Sequence, residues 1–212
     1  MSIQKIWKKA ALPEYMMRRP FDSALKSIMK MSQTPANYWG EFILDLPIGI
    51  FLVGAGLQHF GTHPVAALST FLLGLLFFSF FEYFFHRWIF HGSIQIIVKG
   101  HRAHHLNPMG YDSLPFFLPA LIFLVLVGAF VLIMPTGYAF LLTGSIACGY
   151  VTYGLSHHII HHHRFRQRFA QRWAANHHIH HAHPNSNFGV TTPLWDILLH
   201  TQYLPHKLKA NI

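Results

Sequence analysis

The sequence predicts an all-α membrane protein with about four transmembrane helices in two hairpins and a cytoplasmic helical cap that carries clustered histidines. Composition is the first reason, because 52% of the 212 residues are hydrophobic and only 11% are charged. A typical soluble domain has about 25% charged residues. The second reason is the length of the apolar runs, and the third is the spacing of the nineteen histidines.

Four apolar runs have the length that a bilayer demands of a helix, about 20 residues. The first is the weakest, because it contains Asp45 and Pro47. Turns of only a few residues separate the first run from the second and the third from the fourth, so the runs pair as antiparallel hairpins. In chain order the runs are residues 42–60, 65–85, 114–134 and 138–156.

The positive charges predict the orientation of these hairpins. All 16 Lys and Arg residues lie in residues 1–41, 86–113 and 157–212, and the two short turns contain none. Because cytoplasmic loops are enriched in Lys and Arg, both termini and the central loop are expected in the cytoplasm. The net charge of +9 is therefore assigned to membrane-flanking residues, and nucleic-acid binding is not expected.

Two regions are predicted along the chain. Residues 1–41 form an N-terminal cytoplasmic or interfacial segment, in which residues 14–31 mix apolar and basic residues in the way of an amphipathic helix interrupted at Pro20. Residues 42–212 form the membrane-embedded domain. The single cysteine, Cys148, lies in an apolar run, so it cannot form an intrachain disulfide.

The histidines that follow the spans have the spacing of metal ligands. Two segments repeat the pattern H-x-x-H-H, and positions i, i+3 and i+4 share one face of a helix, so each triplet is expected to point at one place. The triplets are His101, His104 and His105, and His177, His180 and His181.

Two histidine pairs add to these triplets. His157 and His161 stand four residues apart and share a helical face. His86 and His91 are five apart, about 140° from a common face on an ideal helix, so this pair needs a helix end or a distortion. All ten histidines fall on the predicted cytoplasmic side.

Ten imidazoles exceed what one metal ion requires, so two ions are predicted. A structural zinc site uses four ligands and a catalytic one about three. Soluble di-iron bundles use Glu-x-x-His, but here Glu82 precedes His86 by four residues. The pattern therefore predicts a site of almost pure imidazole. Iron in such a site could activate O₂, and zinc could fill it in overexpressed protein.

Several motifs together resemble the fatty acid hydroxylase and sterol desaturase superfamily of membrane di-iron oxygenases. The resemblance covers about residues 82–203 and is closest to the fatty acid 2-hydroxylases. The segment between His91 and His101 is shorter than in those enzymes and is nearer to the sterol-desaturase branch. The motifs are HRWIFH at 86–91, HRAHH at 101–105, YGLSHHIIHH at 153–162, HHIHH at 177–181 and NFGVTTPLWD at 187–196.

The resemblance implies a set of metal ligands and two residues, one aromatic and one acidic, that support the structure near them. Trp195 and Asp196 would support the region after the last histidine motif. A register one residue later, using His158 and His162, is also open, although the position of Tyr153 favours the earlier one. Carried over motif by motif, the metal ligands are His86, His91, His101, His104, His105, His157, His161, His177, His180 and His181.

The function that follows is O₂-dependent oxidation of a lipid, most simply hydroxylation of a C–H bond in an acyl chain. The alternative is a desaturase or oxidase of a sterol, hopanoid or carotenoid that uses the same site. A more remote alternative is a histidine-rich metal transporter, but the spans contain few polar residues besides Asp45 to form a path. The resemblance also implies two iron ions, a lipid substrate and a separate electron-transfer protein, with no catalytic residue identified beyond the metal ligands.

Overall fold

The fold, taken from a computed structural model, is described for residues 27–111 and 113–205. These residues contain helices and loops but no strand, which confirms the all-α prediction. The elements in chain order are α1 (Pro35–Leu57), α2 (Pro64–Phe84), a π-helical turn (Phe85–Phe90), α3 (Gln95–Leu106), α4 (Leu118–Val131), α5 (Thr136–His162), α6 (Arg168–Ala182) and α7 (Leu194–Leu198).

Within residues 27–111 and 113–205, three helices are long and apolar enough to cross a membrane: α1, α2 with its π-helical continuation, and α5. The apolar run at 114–134 forms only the 14-residue helix α4, which is about 21 Å long. The hydrocarbon core of a bilayer is about 30 Å thick. The chain is thus a helical membrane protein, and a fourth full span stays a prediction.

Helix α1 begins seven residues before the apolar run that predicted it. The Thr34 hydroxyl accepts a hydrogen bond from the Asn37 amide at 3.2 Å, and Pro35 occupies the first turn. Both features favour a helix start. The predicted N-terminal segment therefore contributes its last residues to α1, whereas most of the amphipathic helix expected over 14–31 lies outside the described residues.

Small residues let α5 pack closely against its neighbours. Beside α1, a Cβ atom added at Gly56 would lie 2.6 Å from the Leu141 nitrogen, and one at Gly144 would lie 2.6 Å from the Val53 nitrogen. These contacts run in opposite directions along the two helices, so α1 and α5 are antiparallel. Close approach of this kind is typical of packing between membrane helices.

Helix α2 runs parallel to α5, because Gly74 lies against Ser145 and Phe78 against Gly149. Phe78 also packs in the core of the bundle with Phe123 of α4. The short turns after α1 and before α5 meet at one end of the bundle. The histidine-rich segments consequently leave the helices at the other end.

Candidate metal centre

The histidines at that end form two groups, and together the groups contain all ten predicted ligands. Within each group, one ligand atom from every residue lies within 4.8 Å of the others. Group one consists of His86, His91, His101, His105 and His180. Group two consists of His104, His157, His161, His177 and His181.

The π-helical turn supplies the distortion that the pair His86 and His91 requires. The His91 amide donates to the His86 carbonyl at 3.2 Å, which is the i→i+5 bond of a π-helix. The wider turn brings two residues five apart onto one side. Both imidazoles consequently belong to group one.

The expectation that each histidine triplet points at one place is wrong. On α3, His101 and His105 face group one whereas His104 faces group two. On α6 the division is reversed, with His180 in group one and His177 in group two. The two groups lie side by side, so residues at i and i+4 serve one group and the residue between them serves its neighbour.

The spacing of the ring nitrogens fits metal coordination. In group one the Nε2 atoms of His86 and His101 are 3.1 Å apart, and those of His91 and His180 are 3.0 Å apart. In group two the Nε2 atoms of His104 and His157 are 3.0 Å apart. Nitrogens at right angles around one ion, each about 2.1 Å away, would be about 3.0 Å apart. The residues present therefore fit one ion in each group.

The imidazoles are held neutral, which is the state that binds a metal. Burial first, and then the neighbouring imidazoles, lower the pKa of His104 to about 3 and that of His91 to about 4. Burial is also the main cause that lowers the pKa of His180 to about 3. Proton competition for these nitrogens is consequently weak near neutral pH.

Two histidines of group one use their other ring nitrogen to contact backbone carbonyls. The Nδ1 of His180 lies 2.8 Å from the Ser186 oxygen, and the Nδ1 of His86 bonds the Phe188 oxygen. A carbonyl only accepts, so in both rings the proton is on Nδ1. The Nε2 lone pair is thereby directed into group one, as expected for a metal ligand.

Sequence reasoning missed Glu82 and recognised only in part the role of Asp196. Both carboxylates are buried and accept hydrogen bonds from the loop at residues 188–191. A carboxylate within an apolar membrane run is itself a signal of function, and Glu82 carries that signal.

The alternative ligands His158 and His162 lie outside both groups. Their rings stack on each other with centroids 4.1 Å apart, and His158 also packs against Tyr38. Tyr153, which favoured the earlier register, stacks on His157 with ring planes only 7° apart. A cleft reaches group two beside these rings, and it is lined by Tyr38, His104, Pro108, Gly110, His157, His158, His161 and His162.

His59, His63 and His200 belong to neither group. His59 lies beside Gly137 at the opposite end of the bundle, close to His63. His200 adopts a positive φ of 55° after α7. His206 lies outside the described residues.

Comparison with known proteins gives one family. A family model described as fatty acid hydroxylase matches residues 71–201, more than half of the chain. The fatty acid 2-hydroxylases of Mus musculus and Homo sapiens are each 30% identical, and in each case the match covers 63% of this chain and 39% of the relative. The dihydroceramide fatty acyl 2-hydroxylase FAH1 of Arabidopsis thaliana is 25% identical, with 77% and 73% covered.

A solved structure shares the fold. Full-length scs7p, in which only the hydroxylase domain is visible, superimposes with a TM-score of 0.70 and 24% identity over 84% of this chain and 70% of that chain. The present chain spans about two fifths of the length of the mammalian relatives.

The helices of membrane-spanning length and the two histidine groups at one end of the bundle identify the class of protein. It is a membrane protein with a candidate metal centre. The chain belongs to the fatty acid hydroxylase family, which is a family of oxidoreductases. This confirms the resemblance that the histidine motifs indicated.

Proposed function

We propose that this protein hydroxylates an acyl chain of a membrane lipid in an O₂-dependent reaction at two iron ions, one held by each histidine group. The single observation that carries the proposal is the pairing of two five-histidine groups, each with its ligand nitrogens within 4.8 Å of one another. The names of the relatives, which specify fatty acids and dihydroceramide fatty acyl chains, support an acyl chain as substrate.

The bound iron would supply the activation of O₂ and the oxidation of an unactivated C–H bond. The protein's own residues would hold the ions and keep water away. Phe188 lies 5.8 Å from His86 and 5.6 Å from His180, measured between ring centroids. Phe90 stacks on His101 at 5.1 Å. These rings would limit solvent access to group one.

Membrane topology and partners belong to the same proposal. The termini and the histidine cap would lie on the cytoplasmic side, because the Lys and Arg residues gather there. A separate electron-transfer protein would deliver reducing equivalents to that side. The domain predicted at residues 42–212 would be the hydroxylase unit, together with the first residues of α1, and the residues before α1 would be an interfacial segment.

The decisive experiment compares the lipids of a host with and without the protein. Wild-type protein should produce lipids that have gained the mass of one oxygen atom. Substitution of His104 or His180 by Ala should abolish this product and lower the iron content of the purified protein, because each removes a ligand from one group.

A matched control is available at the other end of the bundle. His59→Ala removes an imidazole that is far from both groups, so it should leave product and iron content unchanged. Lipids that lose a hydrogen molecule instead would favour the desaturase alternative. Full iron content and full product in His104→Ala would refute the ligand assignment.

A further inference from the structure

The loop between α6 and α7 orients two ligands of group one through its backbone. Ser186 and Phe188 each offer a carbonyl to the Nδ1–H of a group-one histidine, His180 and His86 respectively. These carbonyls belong to a loop, so their positions depend on what holds the loop. Partners of this kind fix the ring orientation of metal-bound histidines.

Asp196 holds residues 188 and 189 of this loop. Its side chain is completely buried. One carboxylate oxygen accepts from the Phe188 amide at 2.8 Å and from the Thr201 hydroxyl at 2.7 Å, and the other accepts from the Gly189 amide at 2.7 Å. The hydrogen bond that the Phe188 amide donates to Asp196 fixes the position of Phe188, whose carbonyl contacts His86.

Glu82 holds the next two residues of the loop from α2. One oxygen accepts from the amides of Val190 and Thr191, at 2.6 Å and 2.9 Å, and the other accepts from the Thr191 hydroxyl. Glu82 is only one turn before His86 on the same helix. The acid thus ties the loop to the segment that carries the ligand.

Group two contains a histidine without this support. The Nδ1 atom of His177 is buried and has no hydrogen-bond partner among the described residues. Its ring is therefore oriented by packing, with no acceptor to fix which nitrogen carries the proton. The two groups have the same composition but differ in how their rings are held.

We propose that Asp196 and Glu82 are positioning residues that make group one the tighter of the two metal sites. The inference rests on the proposed metal-binding function. It predicts that iron is lost from group two first and that the stability of the group-one ion depends on the two carboxylates. Neither carboxylate needs to contact the metal or the substrate.

Replacing each carboxylate with the amide of the same shape should affect the two positions differently. Both oxygens of Asp196 face backbone N–H donors, so in Asp196→Asn an NH₂ group must face an N–H and one bond is lost. In Glu82→Gln the oxygen can still accept from the amides of Val190 and Thr191, and the NH₂ can face the Thr191 hydroxyl, which can also accept. The aspartate variant should consequently be the more damaging.

The test measures the release of Fe(II) from anaerobically loaded protein to an excess of a chromogenic chelator. Wild-type protein should release iron in two phases. His161→Ala should lack the fast phase and His105→Ala the slow one. Asp196→Asn should accelerate the slow phase roughly 10–100-fold, and Glu82→Gln should accelerate it less, with the fast phase unchanged in both.

Asn37→Ala is the matched structural control. Like Glu82, Asn37 is buried and makes three hydrogen bonds to a loop, in this case at residues 113–116. Among the described residues, no hydrogen bond or ring contact joins that loop to a group-one histidine. The slow phase should be unaffected by this change. If Asp196→Asn does not fold, the test is made with Glu82→Ala, which removes all three hydrogen bonds that the Glu82 carboxylate accepts from the loop and should accelerate the slow phase.

Three results would overturn the inference: a single release phase in the wild-type protein, no acceleration of the slow phase in the carboxylate variants, or equal acceleration in Asn37→Ala. Iron release is measured without lipid turnover. A protein that binds two ions in this order but oxidises no lipid would refute the proposed reaction and leave the positioning role intact. A protein that binds no iron would refute both.

Discussion

A neutral imidazole has two nitrogens with opposite roles, and group one uses both. The proton of His86 and that of His180 are directed to backbone carbonyls, which leaves the Nε2 lone pair of each ring for an ion. The nearby carboxylates of Glu82 and Asp196 accept hydrogen bonds from backbone amides of the loop, and neither belongs to a histidine group. A centre of neutral ligands would leave the charge of a bound ion uncompensated, and this would favour electron acceptance by the metal.

The adjacent histidines in α5 allow a sharp test of individual residues. His157 belongs to group two, whereas His158 stacks on His162 outside it. We expect His157→Ala to lower the iron content of the purified protein from about two ions toward one, because the Nε2 atom of His157 lies 3.0 Å from that of His104 and is one of the nitrogens that would surround the group-two ion. Metal analysis of the purified single variants measures this directly.

His158→Ala is the control for that prediction, because it removes a neighbouring ring of the same helix. It should retain full metal, even if activity falls through loss of the cleft wall beside Tyr38. Retention of metal in His157→Ala together with its loss in His158→Ala would establish the later register.

At the scale of elements, the π-helical turn depends on a residue that follows it. Gly92 lies so close to the turn that an added Cβ would be 1.9 Å from the Trp88 carbonyl oxygen. Gly92→Ala must therefore displace the turn, and with it His91. We expect a lower iron content and loss of the slow release phase, because His91 belongs to group one.

Gly100→Ala provides the comparison within the same cap. A Cβ at Gly100 would meet no atom within 4 Å, and Ala has a higher helix propensity than Gly. This variant should keep its iron and be at least as stable as the wild type in a thermal unfolding assay. Normal iron binding by Gly92→Ala would show that the π-helical turn tolerates displacement.

The sequence predicted the helices better than it predicted how they end. Runs of apolar residues identified α1, α2 and α5 because hydropathy reports burial in lipid. The start of α1 depends on the cap at Thr34, and the limits of α4 depend on local turns, so neither followed from hydropathy. The five-residue spacing of His86 and His91 indicated a distortion, but only the backbone hydrogen bonds identified it as a π-helical turn.

At the scale of the whole molecule, the ten histidines meet because α2 and α5 are parallel and both end on one side of the bundle. The sequence identified the ten by their spacing. Their division into two groups could not be predicted, because it depends on how α3 and α6 pack beneath the spans. The support from Ser186 and Phe188 is a property of backbone atoms, and their residue types carry no signal of it.

The arrangement of the molecule in the membrane gives the last prediction. Ring contact between Phe60 and Tyr138, with centroids 4.8 Å apart, places the two short turns at one end, and neither turn contains Lys or Arg. In a Cys148→Ser background, cysteines at the exposed positions Thr62 and Thr136 should react with a membrane-impermeant thiol reagent only from the non-cytoplasmic side. A cysteine at the exposed Ser93, in the histidine cap, should react only from the cytoplasmic side. Labelling of position 62 or 136 from the cytoplasm would contradict the two-hairpin topology, because the turns and the histidine groups would then share one face of the membrane.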